Sequence, residues 1–221
     1  MEKKKYLYCY KMTHDTGFAP NPYHDVLTLA TCKPTIRRCA EVGYWLSGWA
    51  ANMVHGKKTE LYKNKAQMLI YLAKVSYKIP FEKYWREYPK KQQPDNTFIE
   101  IGNECYKSCG NSTTSKSDDT SSCGDNIYEP KEGEEQGFKL HENPHHGKAN
   151  KAHDLSGKNV LVCKEFYYFG IENAIDIIKI LGIKDFVVPR CKKISLDNEI
   201  AKNIINYITQ NYKSGINPEK K

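Results

Sequence analysis

Apolar and polar positions fall into short alternating runs cut by proline and glycine, the pattern of a mixed α+β protein. Tyr6 to Tyr10 alternates with a period of two and predicts a first strand. The Ala19-Pro20-Asn21-Pro22 turn that follows cannot continue a helix, and Val26 to Ala30 then reads as a buried strand. Thr31-Cys32-Lys33-Pro34 has the form of a helix start, because Pro34 at the first helical position loses no hydrogen bond. Gly43 ends that short helix, and Tyr44 to Trp49 predicts another strand. Gln67 to Ile79 has the length and composition of a long strand stopped by Pro80. Phe81 to Tyr88 then places Phe81, Tyr84, Trp85 and Tyr88 at helical spacing, as core positions.

In the second half the pattern weakens before it returns. Residues 102–122 are rich in Gly, Asn, Ser, Thr and Asp and predict a low-complexity surface loop. A strand is expected at the end of Cys123-Gly124-Asp125-Asn126-Ile127-Tyr128 and another near Phe138 to His141, followed by an irregular stretch to Lys158. Asn159 to Tyr168 predicts one strand, and Phe186 to Val188 a short one. Glu172 to Leu181 is expected as a helix stopped by Gly182. Asp197 to Tyr212 predicts a helix with an Asp cap and a stripe of Ile200, Ile204, Ile205, Ile208 and Tyr212. The expected fold is α+β in a single domain over 1–221. Its centre is a mixed, partly closed sheet or small PUA-like barrel, with a short helix after the second strand and a C-terminal helical element at 171–213.

Charge adds a direction to this picture. Residues 1–94 hold 17 Lys+Arg against 7 Asp+Glu, whereas residues 95–221 hold 17 against 19, so a positive face suited to a polyanion is expected. The N-terminus, with Lys3 to Lys5 followed by a polar-aromatic run, has no secretory pattern, and the longest apolar run, Met68 to Ala73, is too short for a bilayer. A cytoplasmic protein without membrane contact is expected, and its eight cysteines then read as free thiols rather than a disulfide framework.

Several groups carry candidate chemistry. Lys33, Arg37 and Arg38 at the helix start suit a phosphate. Cys32 beside them has the setting of a reactive thiol, with His24 the nearest base in sequence, although a thiol packed under a helix start is the simpler reading. Asp125, Asn126 and Tyr128 offer donors, acceptors and a ring to a base, although Gly-Asp-Asn is also ordinary turn chemistry. His145 and His146, with His153-Asp154, offer proton transfer near neutral pH. Cys105, Cys109 and Cys123 with the nearby histidines lack the paired hooks of a zinc site, so no metal is expected. No Walker loop, GxGxxG turn or paired carboxylate motif marks a definite reaction or cofactor.

Longer motifs carry a family resemblance. APNPYH, TLATCKPTIRR and the following Gly-x-Trp, then LIYLAKVSYKIPFEKYW, CGDNIY, KLHENPHH and NVLVCKEFYYFG, resemble the nucleotide modification associated domain families, the second branch in particular. The resemblance spans about residues 6–170 and implies a role in modifying or handling nucleotides, in DNA modification or virus–host conflict. With it, the favoured function is recognition of a nucleotide, free or within nucleic acid. Lys33, Arg37 and Arg38 would hold phosphate; Asn21, Asp125 and Asn126 would read the base, and Trp45, Tyr128 or Phe169 would stack on it. One alternative is an enzyme that installs, removes or exchanges a group on a base, using Asp125 and His145 or His146. The other is sequestration of a small signalling nucleotide.

Overall fold

The computed structural model describes residues 3–51, 65–92, 124–143 and 145–217. The fold is α+β, as the periodicities predict. Met1–Asp15, Glu41–Ser76 and Cys163–Lys221 form one compact unit, and Thr16–Ala40 with Tyr77–Val162 form a second. The expected loop at 102–122 and its cysteines lie outside the described residues.

The first unit is a six-stranded open sheet in the order β10-β1-β3-β4-β9-β11. Its strands are β1 (Tyr6–Met12), β3 (Trp45–Ala50), β4 (Leu69–Lys74), β9 (Glu165–Tyr168), β10 (Cys191–Ser195) and β11 (Gly215–Ile216). β1 runs parallel to β3 and antiparallel to β10, so the chain must cross over between β1 and β3. Gly48 marks a register shift between β3 and β4, where any Cβ would lie 2.4 Å from the Tyr71 ring. The C-terminal helix, Glu199–Asn211, buries Ala201, Ile204 and Ile208 in a core with Leu7, Cys9, Trp49 and Leu72. Its cap is Asn198, whose side chain accepts from the Ile200 N–H at 2.9 Å, one residue later than the expected Asp197.

The second unit holds a three-stranded sheet, β2-β8-β5, made of β2 (Leu27–Leu29), β8 (Asn159–Cys163) and β5 (Tyr77–Pro80). A separate ribbon pairs β6 (Tyr128–Pro130) with β7 (Phe138–Leu140). Three helices frame them: α1 (Pro34–Cys39), α2 (Phe81–Glu87) and α3 (Lys148–Leu155). Phe81 and Tyr84 enter the core of this unit with Phe18, Ile127 and Val160.

Several expected elements change. Gln67 to Ile79 is two strands, β4 and β5, and Asn159 to Tyr168 is also two, β8 and β9. The expected helix from Glu172 shortens to Ile177–Ile180. Phe186 and Val188 pack in the first core without joining a strand, while the lysine-bearing Cys191–Ser195 becomes the edge strand instead. The stretch before Lys158 contains helix α3, and the short strand β11 follows the C-terminal helix. Both sheets are open, so the expectation resolves to a partly closed sheet and not a closed barrel. Among the described residues no helix is long and apolar enough to cross a membrane.

Candidate functional site

The centre of the second unit is the turn that delivers Cys32 to helix α1. Cys32 and Lys33 both have left-handed backbone, with φ of 54° and 39°. A residue before proline is driven from helical backbone, and two consecutive non-glycine residues in this region store strain. The surroundings hold the turn from both sides. The Cys32 N–H donates to Asp154 Oδ1 at 2.7 Å, and the Cys32 carbonyl accepts from Arg37 Nε at 2.8 Å. Strain maintained in this way at a half-buried cysteine is characteristic of a functional turn.

His146 completes the arrangement. Its Nε2 lies 3.4 Å from Cys32 Sγ, and its Nδ1 lies 2.5 Å from Asp154 Oδ2. Asp154 sits on helix α3 and is fully buried; Tyr128 donates its hydroxyl to the same Oδ2 at 2.8 Å. The Asn143 side-chain oxygen accepts the N–H groups of His145 and His146 at 2.8 and 2.9 Å, which fixes the turn carrying the imidazole. Phe18 packs against both rings, 5.0 Å from His145 and 5.1 Å from His146. Thiol, imidazole and carboxylate therefore stand in the order that a nucleophile, a base and an orienting acid would need.

The electrostatics agree with that order. Burial alone would lower the pKa of His146, but the Asp154 carboxylate and the Cys32 sulfur raise it to about 9. Burial would likewise raise that of Asp154, but His146, Tyr128 and the Cys32 N–H outweigh it and hold the carboxyl below its usual range. Tyr128 is pushed upward by burial and by Asp154, so it remains a hydrogen-bond donor. His153 is exposed and reaches Asp154 only at 3.7 Å.

Arg37 is a strut of this site. Its side chain is fully buried, and its guanidinium donates to the carbonyls of Cys32, Asn159 at 3.0 Å, and Asp154. Gly157 makes room for it, since a Cβ there would lie 2.4 Å from the guanidinium carbon. A guanidinium held by three carbonyls cannot step aside. Gly157→Ala is expected to cost about 1–3 kcal/mol, a fall of roughly 2–10 °C in thermal midpoint by calorimetry.

Cys32, His146 and Asp154 also carry potential metal-ligand atoms, all within 4.8 Å of one another. Both Asp154 oxygens, however, already accept hydrogen bonds, and His146 Nδ1 faces one of them. Only Sγ and Nε2 remain, short of the three or four donors a zinc ion takes. A cavity of about 370 Å³ beside Phe81, Phe138 and Leu155 is lined by none of the three side chains.

The other expected site residues are placed differently. Lys33 is half-buried next to Cys32, and the exposed Arg38 donates to the Ser156 carbonyl at 2.9 Å. Asn21 and Asp125 belong to a buried network around Lys91. The Lys91 ammonium meets Asn21 Oδ1 at 2.8 Å and Thr28 Oγ1 at 3.0 Å; Asp125 accepts from Thr28 at 2.8 Å and Tyr84 at 2.5 Å. Asn126 donates to the carbonyls of Tyr84 and Tyr88. Trp45 and Phe169 are packed in the core of the first unit. His145 stacks on Phe18, and the pKa of His24 is lowered by burial and then by the charges of Lys91 and Lys90. Sequence distance had pointed to His24 as the partner of Cys32; the partner is His146.

The chain belongs to the nucleotide modification associated domain 2 family, whose model matches residues 4–219. No curated protein and no solved structure matches it.

Proposed function

We propose that this member of the family is a cysteine-dependent enzyme that transfers or hydrolyses an acyl group on a modified base or nucleotide. The observation that supports the reading is the Cys32–His146–Asp154 relay on a strained, doubly anchored turn. A nucleotide binder has no need of a thiol held against a buried imidazole–carboxylate pair. The substrate class comes from the family's association with nucleotide modification. Lys33 and Arg38, on either side of helix α1's first turn, are the cations assigned to its phosphate, while Arg37 supports the turn.

With its pKa raised, His146 holds at Nε2 the proton given up by the Cys32 thiol; Cys32 Sγ then forms a bond to the acyl carbon, and the carbonyl electron pair moves to its oxygen. When the intermediate collapses, the bond to the base breaks and the imidazolium returns the proton to the leaving nitrogen or oxygen. Water then attacks the thioester with His146 as base, releasing the acid and restoring the thiol; an amine acceptor in place of water gives transfer. Asp154 holds the imidazole with Nδ1–H toward itself and Nε2 toward sulfur. Such a thiol must stay reduced, which favours the cytoplasm.

Competitive alkylation tests the reading. With substoichiometric iodoacetamide, Cys32 should be modified at least about tenfold faster than Cys39 and Cys191, although both of these are more exposed. His146→Ala should remove that advantage. Equal labelling of the three thiols in the wild type would sink the proposal.

A further inference from the structure

Among the described residues, two buried side-chain polar atoms lack a hydrogen-bond partner, Thr31 Oγ1 and Asn143 Nδ2. Both residues adjoin the relay. Thr31 immediately precedes Cys32 and is fully buried; Asn143 is 8% exposed and holds the His146 turn. The Asn143 amide has one possible orientation, because its oxygen accepts two backbone N–H groups and its nitrogen must then face the other way. Buried polar groups are satisfied almost everywhere in native proteins, and each exception calls for a reason, of which a partner supplied by a reacting atom is one. A hydroxyl and an amide are both donors, which suits an atom that gains negative charge.

We propose that the Thr31 hydroxyl and the Asn143 amide donate to the oxyanion that forms when Cys32 adds to the substrate carbonyl. This assignment rests on the acyl-transfer reading of Cys32 and supplies what the relay lacks. In the addition step the sulfur–carbon bond forms, the carbonyl π pair becomes an oxygen lone pair, and the two donors meet that charge. When the oxyanion collapses, the charge returns to the carbonyl and the leaving group departs with the His146 proton. Donors in a buried site are already oriented and need no reorganisation as the charge develops. Substrates of a planar carbonyl type, amide, ester or thioester, are therefore favoured over saturated carbon electrophiles.

The two kinds of electrophile provide the test. Acetylation of Cys32 by p-nitrophenyl acetate passes through an oxyanion; alkylation by iodoacetamide displaces iodide and forms none. Both rates are read by mass spectrometry of the Cys32 peptide. Thr31→Val keeps the side-chain shape, and Asn143→Asp keeps the oxygen that accepts from the His145 and His146 N–H groups. In each variant the ratio of acetylation to alkylation should fall about 100-fold, the loss expected for a single oxyanion donor. A ratio within threefold of wild type in either variant overturns that residue's assignment. If wild-type Cys32 shows no preference over Cys39 and Cys191 with either reagent, the acyl-transfer reading itself falls, and this assignment with it.

Discussion

Replacing Cys32 by alanine is expected to abolish turnover of acylated nucleotides, by at least about 1,000-fold, while leaving the fold intact. The sulfur's contact with His146 is 3.4 Å long and the side chain is half-buried, so its removal opens no core cavity. The anchors of the turn use the Cys32 backbone, which alanine retains. Nucleotide affinity should change less than about threefold, because the phosphate contacts assigned to Lys33 and Arg38 are untouched. Steady-state hydrolysis of a panel of base-acylated nucleotides, with calorimetric binding in parallel, separates the two effects. Lost affinity with no catalytic step to lose would favour the simple binder that composition and motifs first suggest.

Asp154→Asn is expected to damage both activity and stability. Asp154 accepts three hydrogen bonds at once, from the Cys32 N–H, the Tyr128 hydroxyl and His146. An asparagine amide presented to His146 Nδ1 would place the ring proton on Nε2, the wrong tautomer to take a proton from the thiol. Activity should fall by about 1,000-fold or more. Removing one partner from a buried charged pair costs about 3–5 kcal/mol, a drop of roughly 6–20 °C in thermal midpoint.

The same pair gives stability a defined pH dependence. His146 has its folded pKa raised from 6.5 to about 9, so its contribution is complete below 6.5 and is lost as pH rises through about 9. That contribution is about 3 kcal/mol. The Asp154 pKa is lowered, so its contribution is present above the ordinary 3.8 and is lost as pH falls. Wild-type stability should therefore decline between pH 6.5 and 9, and Asp154→Asn should flatten that decline.

Much of this fold was legible because its strands bury apolar residues in short periodic runs. Strands β1, β2 and β3 and the start of helix α1 at Pro34 follow the alternation and the proline closely. Two of the long runs concealed a division, since each is mainly apolar and aromatic with only a few polar residues inside it, yet passes from one unit to the other, at Ser76–Tyr77 and at Val162–Cys163. Helix α3 was hidden for the opposite reason: KANKAHDL buries Lys151 and Asp154, so its inward face has no apolar stripe to detect.

The site was partly visible. Cys32 and His146 both carried the right chemistry in the sequence, but 114 residues separate them, and nearness along the chain favoured His24. Arg37 read as a phosphate-holding cation because charged side chains usually lie at the surface; only the structure reveals the three carbonyls that hold it. Tyr128 carried the aromatic signature of a stacking residue, yet its hydroxyl serves Asp154. Asn143 and Thr31 had no distinguishing pattern, since an unpartnered polar atom is a property of packing and has no counterpart in composition.

The most direct test of the account is the mass of the protein caught during reaction. Wild-type protein mixed with base-acylated nucleotides and quenched in acid within seconds should carry one added acyl group, mapped by peptide sequencing to Cys32. Cys32→Ala should carry none, and His146→Ala should acquire it far more slowly. An adduct found on Cys39, on Cys191 or on lysines, or turnover of the nucleotide without any adduct on Cys32 and undiminished in Cys32→Ala, would contradict the assignment of Cys32 as the nucleophile.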